Sequence, residues 1–150
     1  MKRLINVILT LCLLSAFLVG CTGAENPEAA DGVDVDFTTL NSVMAEGVFR
    51  NITSNSEDYL GKTIRASGEL INLFIDAYDR YYRYVAITEG DDICCPPDVF
   101  EIRLTGAHVV DDDYPESGTI IEVTGILSRF DEFGTGFLYL AVDEIIIVSA

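Results

Sequence analysis

From residue 62 the apolar side chains of this sequence recur at every second position. In KTIRASGEL, residues 62–70, Ile64, Ala66, Gly68 and Leu70 share one face while Thr63, Arg65, Ser67 and Glu69 share the other. That alternation specifies a half-buried strand, and Gly68 lets it bend sharply. A second β-rich run spans residues 81–88. A third spans 99–104, with Phe100, Ile102 and Leu104 inward. Residues 105–118, which hold Asp111-Asp112-Asp113-Tyr114-Pro115, break the pattern and form a loop. Two further strands follow at 119–127 and 137–148, joined by a turn through residues 131–136. In the last strand Leu138, Leu140 and Val142 are out of phase with Ile145 and Ile147, so a bulge is expected near Asp143-Glu144. Five strands, a bend at Gly68 and a long connection between the third and fourth suit a small closed β-barrel, which also hides its sheet edges.

Upstream, Leu40, Val43, Met44, Val48 and Ile52 recur at helical spacing and predict a short helix with Gly47 in its middle. Residues 54–61, SNSEDYLG, supply capping side chains, first-turn acids and a closing glycine, and predict one helical turn leading into the first strand.

The N-terminus has the order of a secretory signal: Lys2 and Arg3, an apolar run from Leu4, then Leu18-Val19-Gly20-Cys21. The last four residues resemble a bacterial lipobox. That resemblance implies diacylglyceryl attachment to the Cys21 sulfur and cleavage before it. The run also approaches the ~18–20 residues of a spanning helix, so a simple transmembrane anchor is the alternative. In either case the chain is exported and held at a membrane of the cell envelope. On the lipobox resemblance, residues 1–20 are expected to be a lipoprotein signal peptide, and 21–37 a lipidated cysteine with a flexible acidic tether. Residues 38–150 are one domain of helix plus barrel. From residue 21 onward seven bases face 25 acids, a formal charge of −18; residues 38–150 carry −13. Such a surface repels phosphate backbones and anionic lipid, which argues against nucleic acid as the partner, and none is expected.

Through YLGKTIRASGEL (59–70) and SGTIIEVTGIL (117–127) the chain resembles an oligonucleotide/oligosaccharide-binding (OB) barrel. The likeness is closest to small bacterial lipoproteins and permease-associated extracytoplasmic domains. Those share a Leu-Gly-Lys lead-in, paired cysteines after the second strand and a hydrophobic-glycine fourth strand. It covers roughly residues 58–148 and implies a mainly β, five-stranded OB-like barrel in the envelope. It carries no activity across.

Catalysis is the poorer hypothesis. His108 is the only histidine; it has no second histidine at ligand spacing and no nucleophile motif beside it. No pair of carboxylates stands out. Asp111, Asp112 and Asp113 with Glu116, and the tether acids Asp31, Asp34 and Asp36, lack the spacing of a calcium loop and read as solvated acids. No cofactor is expected. In Arg80-Tyr81-Tyr82-Arg83-Tyr84 bases and aromatics interleave, as in surfaces that stack ligands across the second and third strands. Arg80, Tyr82, Arg83 and Tyr84 are the candidate binding surface, with the tyrosines on an open face and a glycan or envelope protein as ligand. Ordinary cross-strand packing of tyrosines is the competing reading.

Cys94 and Cys95 precede Pro96 and Pro97, which favour an extended backbone with diverging thiols. Adjacent Cα atoms ~3.8 Å apart lie inside the ~4.4 Å where ordinary disulfides begin, so a vicinal disulfide needs a distorted peptide. A stiff turn, a redox pair and a metal-capturing pair stay open. The reading is a membrane-anchored extracytoplasmic binding or accessory module without catalytic activity. The alternatives are a thiol-based redox or metal-handling lipoprotein using Cys94 and Cys95, and a minor structural subunit of an envelope assembly.

Overall fold

The computed structural model describes residues 32–88, 90, 96–106, 113–132 and 134–149. The expected signal peptide of residues 1–20, Cys21, Asp31, Cys94, Cys95, His108, Asp111 and Asp112 lie outside them. The chain is mainly β, with one six-stranded sheet and one α-helix among the described residues. The elements are β1 (Val35–Asp36), α1 (Ser42–Ser54), β2 (Thr63–Ile75), β3 (Arg80–Ala86), β4 (Val99–Leu104), β5 (Ile120–Glu132) and β6 (Thr135–Ser149). No helix among the described residues is long and apolar enough to cross a membrane.

β2 organises the sheet because it changes partners along its length. Residues 63–69 pair antiparallel with β5, and residues 70–75 pair antiparallel with β3. Gly68 sits just before the handover, where a Cβ would stand 1.6 Å from the Ala86 carbonyl oxygen. A side chain there is incompatible with the crossing of β2 and β3, which is the physical content of the expected bend. β4 lies antiparallel to β3 and parallel to β6, and β6 forms a long antiparallel hairpin with β5. The pairings β2–β3–β4–β6–β5 therefore return to β2. The β5–β6 register slips between Val123↔Ile145 and Gly125↔Val142, leaving Asp143 and Glu144 opposite Thr124 alone. This extra residue turns Ile145 onto the side of Leu140 and Val142, as the broken phase of the sequence requires.

The core joins Ile64, Ala66, Leu70, Val85, Phe100, Ile102, Ile121, Val123, Leu127, Leu140 and Val142 from the strands to Ala45 and Ile52 of α1. Asn41 caps α1 by accepting from the Met44 N–H at 3.0 Å. Its buried stripe is Ala45, Val48, Phe49 and Ile52, spaced three, four and seven apart, and Phe49 meets Phe100 at a 5.0 Å ring separation. Val43 and Met44, expected on that face, are instead 77% and 54% exposed. They lie on the other side of the first turn.

The fold also begins earlier than residue 38. Val33 and Phe37 are buried, and β1 runs parallel to the start of β2. The Asp34 N–H donates to the Thr63 carbonyl at 2.8 Å, while its carboxylate accepts from the Thr63 N–H at 2.8 Å. Residues 33–37 are thus a sixth strand with its flanks, not tether. Val33, Val35 and Phe37 alternate with Asp34 and Asp36, a short period-two pattern set in a stretch whose acidic composition otherwise reads as tether.

Candidate functional site

The ladder between β3 and β4 stops early. Its pairs are Ala86↔Val99, Val85↔Phe100 and Tyr84↔Glu101; beyond them residues 80–83 continue along β2 and residues 102–104 along β6. The two strands part there, and a cleft of about 530 Å³ opens between them. Tyr114, from the loop after β4, holds the opening: its hydroxyl accepts from the Leu104 N–H at 2.8 Å. A backbone donor on the cleft side of β4 thus finds a side chain where a neighbouring strand would serve.

Arg83 lies over two aromatic faces, 4.0 Å from the Tyr114 ring centroid and 5.1 Å from that of Tyr81. Tyr81 in turn packs at 4.8 Å on Phe74 across the β2–β3 hairpin, and both rings are about two-fifths exposed, at 42% and 41%. On β4, Glu101 and Arg103 project to the same side. Arg103 Nε donates to Glu101 Oε1 at 2.7 Å, and Arg80 Nη2 approaches the same oxygen at 3.8 Å. Arg80 is further held by Glu132 at 3.1 Å. The Arg103 guanidinium stacks 3.6 Å from Phe130 and 4.7 Å from Tyr139, and its Nη2 is buried without a hydrogen-bond partner. Packed against these two rings, the guanidinium is held by aromatic faces on one side and by Glu101 on the other.

Of the four residues singled out from sequence, Arg80 and Arg83 line this cleft. Tyr82 does not offer an open face: it is only 8% exposed, with Arg80 4.8 Å over its ring and Glu132 3.4 Å from its hydroxyl. Burial, then the Glu132 charge, pushes its phenol above the ordinary value. Tyr84 is half-buried in the ladder, and burial, then Glu101, raises its phenol too. The exposed tyrosine of the run is Tyr81. Phe74, Asp79, Glu101, Ile102, Arg103 and Tyr114 complete the lining and escaped the sequence reading. The Arg-Tyr interleaving pointed to the strand; only tertiary pairing reveals which face opens.

Cys94 and Cys95 fall outside the described residues, as do His108, Asp111 and Asp112. Among the described residues no three His, Cys, Asp or Glu side chains group to hold a metal. No protein-family model matches the chain, and no curated protein matches it either.

Proposed function

We propose that this chain is a lipid-anchored extracytoplasmic binding module, built on an OB-like barrel, which takes a glycan in the β3/β4 cleft and catalyses no reaction. The observation that carries this reading is the concentration of three of the seven cationic side chains beyond residue 20, Arg80, Arg83 and Arg103, at one cleft.

The barrel reading is supported by the pairings that return to β2, the parallel β4–β6 pair and the partner change at Gly68. In such barrels ligands lie across the second and third strands, the position that β3 and β4 hold among the five long strands. The ligand class follows from the mixture of charges. Arg80, Arg83 and Arg103 stand beside Asp79, Glu101 and Glu132, so the region is formally neutral and has no appetite for a highly charged polymer. A sugar hydroxyl both donates and accepts, so it bridges a carboxylate and a guanidinium, while the flat apolar face of a pyranose rests on Tyr81 or Phe74. Glu101, already committed to two arginines, serves as a fixed acceptor.

The test is a glycan array probed with the full chain in detergent, with Tyr81→Ala alongside. Retention of a neutral oligosaccharide that weakens about tenfold in Tyr81→Ala supports the reading, since loss of one stacking platform removes roughly 1–2 kcal/mol. No retained glycan, or retention indifferent to Tyr81, sinks it.

A further inference from the structure

β6 is much longer than the strand that flanks it. β4 covers only Tyr139 to Val142, and the last bond between the two segments runs from the Thr105 N–H to the Val142 carbonyl at 2.8 Å. From residue 143 to 149, β6 pairs with β5 on one side and, among the described residues, with no strand on the other. Open edges are normally blunted by a lysine, a proline or an irregularity. Here the irregularities fall at Asp143-Glu144 and beside Val148, and residues 145–148 carry no charge and no proline. Ile146, Ile147 and Val148 are 53%, 58% and 57% exposed.

Beside this edge runs a second groove, of about 380 Å³. Its apolar walls are Leu104, Pro115, Ile145 and Ile147, and among the described residues its rim carries Asp113, Asp143 and Glu144 and no lysine or arginine. Asp143 is fixed in place by a hydrogen bond from the Thr105 hydroxyl.

We propose that this edge docks an extended, basic segment of a partner protein. The segment adds as a strand to residues 145–149 of β6. It places one apolar side chain between Leu104, Pro115 and Ile147, and sets lysine or arginine residues beside Asp143 and Glu144. Strand addition of this kind draws affinity from main-chain hydrogen bonds and specificity from the pocket that receives alternate side chains. Charge selects the occupant. A second copy of this chain would bring its own Asp143 and Glu144 and a domain charge of −13. The chain's own segment 22–31 holds three acids and no base, and anionic headgroups meet the same repulsion.

The probe is a capped alternating peptide, Lys-Val-Lys-Val-Lys-Val-Lys, added to the full chain in non-ionic detergent at 0.15 M salt, with its Glu-Val counterpart as control. Amide hydrogen exchange is read residue by residue. The lysine peptide is expected to slow exchange within residues 145–149, and the glutamate peptide to leave it unchanged. Glu144→Lys is expected to weaken the lysine peptide about five- to tenfold. Ile147→Lys, at a site more than half exposed, should abolish protection while circular dichroism stays that of the parent. Unchanged exchange at β6, equal protection by the glutamate peptide, or full binding to both variants overturns the proposal.

Discussion

Arg103 Nε donates to Glu101 Oε1 at 2.7 Å, between two residues that share one face of β4. The Glu101 side chain is only 9% exposed, and Arg80 lies 3.8 Å from the same oxygen. A carboxylate removed this far from water is tolerable only with such partners, and both arginines depend on it for their position at the cleft wall. Glu101→Gln is therefore expected to lower unfolding free energy by about 1.5–3 kcal/mol, the range for a hydrogen bond to a charged group. Urea denaturation checks it: the midpoint should fall while the slope stays constant.

Two glycines make opposite predictions. At Gly68 an added methyl would overlap the Ala86 backbone, so Gly68→Ala must push β3 away from β2 and is expected to cost about 3 kcal/mol or more. Gly47 lies in the middle of α1 with nothing within 4 Å of where a Cβ would stand. There Gly47→Ala should stabilise by about 0.5–1 kcal/mol, because the helix no longer orders a glycine backbone. Thermal melts of the two variants should shift in opposite directions.

The strands were legible in the sequence because burial on one face of β2 writes itself as alternation, in Ile64, Ala66 and Leu70. The displaced phase of Ile145 likewise announced the bulge, since only an inserted residue lets both halves of β6 face Val123 and Leu127. The cleft was half legible. Arg80 and Arg83 stood out as bases among tyrosines, but Tyr82 and Tyr81 look alike in a strand pattern. Their difference is set by Glu132, fifty residues away, and by the early end of the β3–β4 ladder. Tyr114 reaches Leu104 from a loop whose composition gives no sign of it. Val33, Val35 and Phe37 did alternate with two acids, but five residues of alternation were outweighed by the acidic, loop-like composition around them. Contacts that pair distant segments leave no periodic trace.

Acid should act on Asp98 in an unusual direction. Burial, then the charge of Glu46, holds its carboxyl above the ordinary value, with Arg50 opposing. The folded protein therefore keeps this proton more readily than the unfolded chain, whose Asp titrates at about 3.9. Stability from this group is present below that value and is lost as pH rises through the folded pKa, so at neutral pH its charge works against the fold. Asp98→Asn is expected to raise stability at pH 7, with the gain shrinking as pH is lowered towards 4. Paired urea titrations of parent and variant isolate this difference from the other carboxylates. A gain independent of pH would deny the titration.

Tyr114 joins a backbone donor to a guanidinium stack, and the two roles separate by mutation. Tyr114→Phe keeps the ring 4.0 Å beneath Arg83 but removes the oxygen that accepts from the Leu104 N–H. An unmet donor on a half-buried strand costs about 1–2 kcal/mol, so global stability should fall by that amount and the Leu104 amide should exchange faster than its neighbours. Tyr114→Ala also takes away the face on which Arg83 lies and should add roughly 0.5–2 kcal/mol of loss. Under the cleft reading, Tyr114→Phe leaves the aromatic platform intact and should bind ligand nearly as the parent does, whereas Tyr114→Ala removes one of the two rings on which Arg83 lies and should weaken binding. Equal stability and equal Leu104 exchange in all three proteins would show that the parting of β3 and β4 does not depend on this hydroxyl.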